Sequence, residues 1–145
     1  MRFELEAGVP DWSFEPPEGS TGIADCYALN VDGDSAWLVY YYDFDLFHID
    51  AAGGLARWRA DASGVRAMAC DGERVLLVGR YGAGDLATLW KLGNDELRDW
   101  SRVLVLLEGS SSLDGQLSGR GPTLHAVKGA RWFAGSLGDL RDARG

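Results

Sequence analysis

An internal repeat constrains the fold of this chain more than any other feature of its sequence. Residues 28–39 align with residues 67–78 at an offset of 39 residues, each copy with an Asp-Gly pair near its middle. A fainter third copy spans residues 124–133 and has Lys-Gly at the matching place. In each copy an apolar run precedes the pair and a second apolar or aromatic run follows it, which is typical of a β-hairpin whose turn needs a positive φ at glycine. The repeat therefore predicts three hairpins.

A tryptophan recurs at the other end of each repeating unit, at Trp12, Trp58 and Trp100. Further strand candidates lie between hairpin and tryptophan, at Leu46 to Ile49 in one unit and at Ala87 to Leu92 in the next. Four short strands in about 40 to 45 residues is the size of a propeller blade. We therefore divide a single β-repeat domain, residues 1–145, into units of about 25–60, 65–102 and 115–140, with 1–15 as the end of an earlier unit.

Helix signals are poor, because no window of a dozen residues keeps a 3.6-residue period free of glycine. We predict an all-β fold of antiparallel four-stranded meander repeats, about three blades of a β-propeller-like fold. Three blades do not close a ring, since propellers typically have four to eight. Three alternatives stay open: the chain is part of a larger protein, copies associate as a homodimer that completes a ring, or the meanders form an open sandwich.

Several segments carry a resemblance to a known family. They are Trp12-Ser13-Phe14-Glu15-Pro16-Pro17, Asp25-Cys26-Tyr27-Ala28-Leu29-Asn30-Val31, Tyr40-Tyr41-Tyr42-Asp43-Phe44 and the Gly-Arg-Gly to Arg-Trp stretch of residues 119–132. In these the chain resembles a group of uncharacterised bacterial β-propeller-like proteins with WD40-like repeats, and is similar to their C-terminal half. The resemblance implies the propeller-like fold and a chain that is half of a larger assembly, and it brings no activity and no catalytic residues.

Composition and charge exclude some partners. The net charge is −8, and residues 1–64 carry 12 acidic against 3 basic residues, whereas residues 65–145 carry 10 against 11. An acidic first half repels phosphate backbones, and no basic cluster with interleaved aromatic residues occurs, so we expect no nucleic-acid partner. No apolar run approaches the length of a membrane span, and the first six residues alternate charged and apolar types, so we expect a cytoplasmic protein without membrane contact.

The residues that most often carry chemistry are scarce. Cys26 and Cys70 each lie in an apolar stretch and are too far apart for a CxxC motif, so both are interpreted as small buried side chains. His48 and His125 lie in different units, among apolar neighbours, and are interpreted as strand histidines more than as catalytic or zinc-binding ones. We predict no cofactor and no metal site.

Two loop motifs fit a ligand pattern only in part. Gly82 to Ala87 matches GxGxxG/A, but the residues after it predict a strand where a dinucleotide site needs a helix, so a hairpin loop is favoured. Asn30, Asp32 and Asp34 have the first spacings of a calcium loop, but later positions of that loop lack the required glycine and glutamate. A hairpin turn is favoured there too.

The stretch Tyr40 to Asp45 places aromatic rings beside carboxylates, which suits a polar or cationic ligand. Packing of the rings between sheets explains the same residues without a ligand. If the chain has a binding surface, we predict it at Tyr41, Asp43 and Asp45.

These observations favour a non-enzymatic binding or scaffold module of unknown ligand, with a second copy or another protein as its partner. The alternative is an enzyme, or an enzyme-associated propeller domain, acting on a small polar substrate through Asp and His groups. That alternative requires a histidine and a carboxylate within hydrogen-bond reach in a pocket.

Overall fold

The computed structural model describes residues 2–3, 10–12, 15, 18, 25–41, 44–81, 86–103 and 115–140. These residues form thirteen strands: β1 (Arg2–Phe3), β2 (Pro10–Trp12), β3 (Cys26–Asp32), β4 (Ser35–Tyr40), β5 (Leu46–Ile49), β6 (Leu55–Trp58), β7 (Ala67–Cys70), β8 (Arg74–Val78), β9 (Ala87–Leu92), β10 (Leu97–Val103), β11 (Gln116–Arg120), β12 (Thr123–Lys128) and β13 (Arg131–Ser136). A single 3-10 turn, Leu137–Asp139, follows β13. The prediction of an all-β fold is confirmed. Within the described residues, no helix is long and apolar enough to cross a membrane.

Most strands belong to three antiparallel meanders. Meander A runs from β3 to β6, meander B from β7 to β10, and meander C from β11 to β13. The hairpins predicted from the repeat are confirmed, because Gly33, Gly72 and Gly129 have φ values of 57°, 87° and 60° between paired strands. Strands β1 and β2 form a separate two-stranded sheet.

The third repeat copy differs from the other two in its place within the meander. In meanders A and B the repeated hairpin joins the first and second strands, whereas in meander C it joins β12 and β13. Strand β11 precedes that hairpin and was not predicted. Its sequence, Gln-Leu-Ser-Gly-Arg, has one large apolar residue and therefore no strand pattern of its own.

The first strands of the three meanders meet at one junction. Strand β11 pairs in parallel with β3, which joins meanders C and A into one seven-stranded sheet of order β13-β12-β11-β3-β4-β5-β6. Meander B is a separate four-stranded sheet, and its first strand reaches the junction through a hydrogen bond of 2.9 Å from the amide of Cys70 to the carbonyl of Gly121. The described strands therefore close no barrel or ring, and a propeller is not shown.

Asn30 lies at the centre of this junction and is fully buried. Its side-chain amide donates to the carbonyls of Met68 and Gly121, both at 2.9 Å, and its Oδ1 accepts from the amide of Gly121 at 2.8 Å. One side chain thus bonds to the backbones of meander B and meander C from a strand of meander A. Gly119 is required beside it, because a Cβ there would overlap the carbonyl of Met68.

The core has two main parts, one on each side of the β7–β8 hairpin. Met68 and Leu77 face meander A, where they join a cluster that includes Trp37 and Val39. Alternate residues of the same hairpin face meander C and pack with Leu124, Ala126 and Leu137. Because both faces of this hairpin are buried, its strands are continuous apolar runs without alternation.

Candidate functional site

Three connecting segments meet at one edge of the molecule. The amide of Tyr41, after β4, donates to the carbonyl of Asp25 at 2.8 Å, and the amide of Ala62 donates to the carbonyl of Phe44 at 2.9 Å. The amide of Tyr81, after β8, donates to the carbonyl of Ser63 at 3.3 Å. These hydrogen bonds hold four segments side by side: the start of β3, the end of β4, the end of β8 and the connection from β6 to β7.

Among the described residues, four aromatic side chains pack together at this edge, and we call them the aromatic rim: Tyr27, Tyr41, Phe44 and Tyr81. The ring centroid of Tyr27 lies 5.8 Å from that of Tyr41, 5.7 Å from that of Phe44 and 6.1 Å from that of Tyr81. Phe44 meets the rings of Tyr41 and Tyr81 edge-on at 5.5 and 6.3 Å. These distances and angles are those of favourable aromatic pairs.

The rim is open to solvent through its two outer tyrosines. Tyr81 is 58 % exposed and Tyr41 is 37 % exposed, whereas Tyr27 and Phe44 are half-buried between them. The hydroxyls of Tyr27 and Tyr81 are hydrogen-bonded to each other. That hydrogen bond, with smaller contributions from burial and from the charge of Asp25, raises the pKa of Tyr27 to about 12. Tyr27 is therefore neutral near pH 7.

The backbone is strained at the same place. Among the described residues, Phe44 and Asp61 are the two non-glycine residues with positive φ, at 54° and 44°. They lie on the two loops that the hydrogen bond between Ala62 and Phe44 joins. A bulky residue in this conformation is rare and costs roughly 1–2 kcal/mol, and such residues concentrate at functional sites.

A small pocket of about 40 Å³ lies beside the rim, on the side of Tyr81. Its polar lining includes Asp61, Ser63, Arg80 and Thr88, and Trp90 forms part of the wall. Two of these lining residues, Arg80 and Asp61, form an exposed ion pair at 3.3 Å. The lining residue Ser63 accepts the hydrogen bond from the amide of Tyr81, so the pocket lies next to this end of the rim.

The structure describes two of the three predicted binding residues, Tyr41 and Asp45, and it places them in different surroundings. Tyr41 belongs to the aromatic rim. Asp45 is only 6 % exposed, and its carboxylate accepts hydrogen bonds from the guanidinium of Arg57 at 2.7 and 2.8 Å and from the amide of Ala60 at 3.2 Å. These bonds hold β5, β6 and the following loop together, so we assign Asp45 a structural role. Asp43 lies outside the described residues.

Tyr27 and Tyr81 were not predicted as binding residues, and neither has a local motif that would mark it. The signal that could have found them is topological. In an antiparallel meander the start of the first strand and the end of the second lie at the same edge of the sheet. Tyr27 and Tyr41 occupy such positions in meander A, and Tyr81 follows the end of the second strand of meander B.

The two histidines lie on opposite faces of the seven-stranded sheet. His48 stacks on Trp37 with ring centroids 4.1 Å apart, and its burial lowers the pKa of His48, against a smaller opposing effect of Asp50. His125 stacks on Trp132 on the other face at 5.6 Å. The described hydrogen bonds pair neither imidazole with a carboxylate.

The cysteines differ from each other in exposure. Cys70 is buried as predicted, and burial raises the pKa of its thiol to about 12. Cys26 is exposed, contrary to prediction, because a register shift between Cys26 and Ala28 displaces the start of β3 from regular pairing. Across the described ranges, no three His, Cys, Asp or Glu side chains lie close enough to bind one metal ion.

The fold and the site define an all-β protein of antiparallel meanders with an exposed aromatic cluster at one edge. Neither a scan against models of protein families nor a search of curated proteins gave a match for the chain.

Proposed function

We propose that this chain is a non-enzymatic binding module and that its ligand stacks on the aromatic rim. The observation that carries the proposal is the cluster of four rings with two solvent-exposed tyrosines, held by three backbone hydrogen bonds between separate loops. Loops that a rigid sheet positions are the usual place for binding residues.

The physical reason lies in what the rim offers to a ligand. Tyrosine presents a large apolar face at little entropic cost, since few torsions are frozen on binding, and for this reason it is enriched at binding hot spots. The half-buried rings of Tyr27 and Phe44 contact the exposed rings of Tyr41 and Tyr81, so the surface is formed before a ligand arrives. Preorganisation of this kind improves affinity because less conformational entropy is lost.

Affinity measurements on rim variants would test this proposal. A panel of short peptides that vary in charge and aromatic content is titrated by fluorescence polarisation against the wild type, Tyr81→Ala and Trp132→Ala. Trp132 is a matched control, because it is an exposed aromatic residue of β13, 66 % exposed and away from the rim. We expect peptides that bind the wild type to lose at least about fivefold in affinity on Tyr81→Ala and to keep it on Trp132→Ala. The reverse ranking would contradict the proposal.

The enzyme alternative requires a histidine and a carboxylate in one pocket. His48 and His125 stack on tryptophans on opposite faces of one sheet, so they offer that alternative no support. We therefore favour the binding module.

A propeller-like assembly and a homodimer remain separate proposals. Each meander starts at the junction and adds strands outward, as blades do around a propeller axis, which supports the first. The exposed Trp132 on the outermost strand of meander C supports the second, since exposed aromatic side chains are common in interfaces. Light scattering behind a sizing column tests the dimer: a mass of twice 15.7 kDa would support it and a mass of 15.7 kDa would refute it.

A further inference from the structure

The charges around the aromatic rim are unequal. Asp25 is exposed at the start of the segment that carries Tyr27, and its charge acts on that tyrosine. Asp61, another exposed carboxylate among the described residues of this edge, is paired with Arg80. Arg66, the next nearest cation along these loops, donates to the carbonyl of Gly115. Among the described residues of this edge, Asp25 is therefore the exposed carboxylate that no cation balances.

The rings add a second attraction for a cation. The face of an aromatic ring carries negative charge density, so a guanidinium or ammonium placed over it is stabilised. The same chemistry occurs twice among the described residues. The guanidinium carbon of Arg57 lies 5.6 Å from the ring centre of Phe47, and that of Arg131 lies 5.2 Å from the ring centre of Phe133.

We propose that the aromatic rim binds an arginine side chain of a partner protein, with the guanidinium stacked on the exposed tyrosines and paired with Asp25. This inference rests on the proposed function. Arginine fits better than lysine, because its guanidinium is planar, stacks on aromatic faces and bonds to a carboxylate through two parallel N–H groups. The excess of acidic residues, −9 over residues 1–64, would also steer a basic segment towards this half of the chain.

Calorimetric titration with two matched peptides tests the inference. One peptide is acetyl-Ala-Arg-Ala-Arg-Ala-amide, and the other replaces both arginines with citrulline, which has nearly the same shape without the charge. They are titrated into the wild type, Tyr81→Ala and Asp25→Asn. Asp34→Asn is the matched carboxylate control, because Asp34 is exposed in the turn at the opposite end of β3.

We expect the arginine peptide to bind about tenfold tighter than the citrulline peptide. Asp25→Asn should weaken the arginine peptide by about two- to fivefold and leave the citrulline peptide unchanged, while Asp34→Asn should change neither. Tyr81→Ala should weaken both peptides. Acetyl-arginine-amide, which presents one cation without a peptide, should bind at least about tenfold more weakly than the pentapeptide.

Three other results of these titrations would each overturn one part of the proposal. Equal binding of the arginine and citrulline peptides, both sensitive to Tyr81→Ala, would overturn the preference for a cation and leave the rim as a binding site. Binding that is insensitive to Tyr81→Ala would overturn the rim itself and with it the proposed function. Acetyl-arginine-amide binding as tightly as the pentapeptide would overturn the assignment of a protein segment as the partner.

Discussion

Replacement of Asn30 by alanine is the strongest test of how the three meanders are held together. The Asn30 side chain makes three hydrogen bonds of 2.8–2.9 Å to backbone groups of Met68 and Gly121, and it is fully buried. Gly121 keeps other partners in the variant, since its amide also donates to Val31 at 3.2 Å and its carbonyl accepts from Cys70 at 2.9 Å. The Met68 carbonyl loses the bond that Asn30 supplies to it.

The loss of unfolding free energy in Asn30→Ala follows from these contacts. Three buried hydrogen bonds contribute roughly 1 kcal/mol each, and the volume left by the missing amide adds a smaller cavity cost. We therefore expect Asn30→Ala to lower the free energy of unfolding by about 3–4 kcal/mol, a large part of the roughly 5–15 kcal/mol that a domain of this size has. Asn94→Ala, at an exposed turn asparagine, should cost less than about 0.5 kcal/mol.

Urea denaturation followed by circular dichroism measures both variants. With a slope of about 2 kcal/mol/M, the midpoint of Asn30→Ala should fall by roughly 1.5–2 M with the slope unchanged. A fall of less than about 0.5 M would refute the assignment of Asn30 as the residue that holds the junction.

Asn30→Asp gives a pH dependence of known sign. A carboxylate at this site would face two carbonyl oxygens in a buried position, so its pKa in the folded protein rises above the unfolded value of about 4. The protonated form folds better, so the variant is least destabilised below pH 4 and loses stability as the pH rises towards 7. The same unfolding midpoint relative to wild type at pH 4 and at pH 7 would contradict the buried position of this side chain.

Three further variants and reactions test other parts of the structure. Gly119→Ala should lower the free energy of unfolding by more than about 2 kcal/mol, because its Cβ would overlap a backbone carbonyl of β7. Gly135→Ala, with open space around it, should lower it by less than about 1 kcal/mol. Equal urea midpoints for the two variants would be evidence against the close approach of Gly119 to β7. Iodoacetamide at pH 8 should alkylate Cys26 in the native protein and Cys70 only after unfolding, because burial raises the pKa of the Cys70 thiol to about 12. Mass spectrometry identifies the alkylated residue. Labelling of Cys70 in the native protein would argue against its burial. Asp45→Ala should lower the unfolding free energy by about 2–3 kcal/mol and leave peptide affinity unchanged. A loss of affinity without a loss of stability would show that Asp45 contributes to binding.

Local signals in the sequence were sufficient for the hairpins. An Asp-Gly pair between apolar runs specifies the turn itself, because glycine adopts positive φ without a steric cost, and Gly33 and Gly72 do so in the structure. The junction could not be predicted in the same way. The parallel pairing of β11 with β3 joins residues about 90 positions apart, and Asn30 is polar, so hydrophobic periodicity does not mark it as buried.

The candidate site was predicted only in part, because its residues are also far apart in the sequence. Tyr41 was proposed from the sequence because aromatic and acidic residues cluster around it there. Tyr27 and Tyr81 are 54 positions apart and meet only because strand ends from meanders A and B share one edge. Asp45 was grouped with Tyr41 by adjacency, yet Phe44 between them has positive φ, and the Asp45 carboxylate is buried against Arg57.

Nuclear magnetic resonance of the tyrosine rings tests the binding claim most directly. Protein labelled with 13C in its tyrosine and tryptophan rings is titrated with acetyl-Ala-Arg-Ala-Arg-Ala-amide, and ring signals are assigned with Tyr→Phe and Trp→Phe variants. We expect the signals of Tyr27, Tyr41 and Tyr81 to shift together along one saturable curve while those of Trp132 stay in place. Saturable shifts at Trp132 with unmoved rim tyrosines would contradict it.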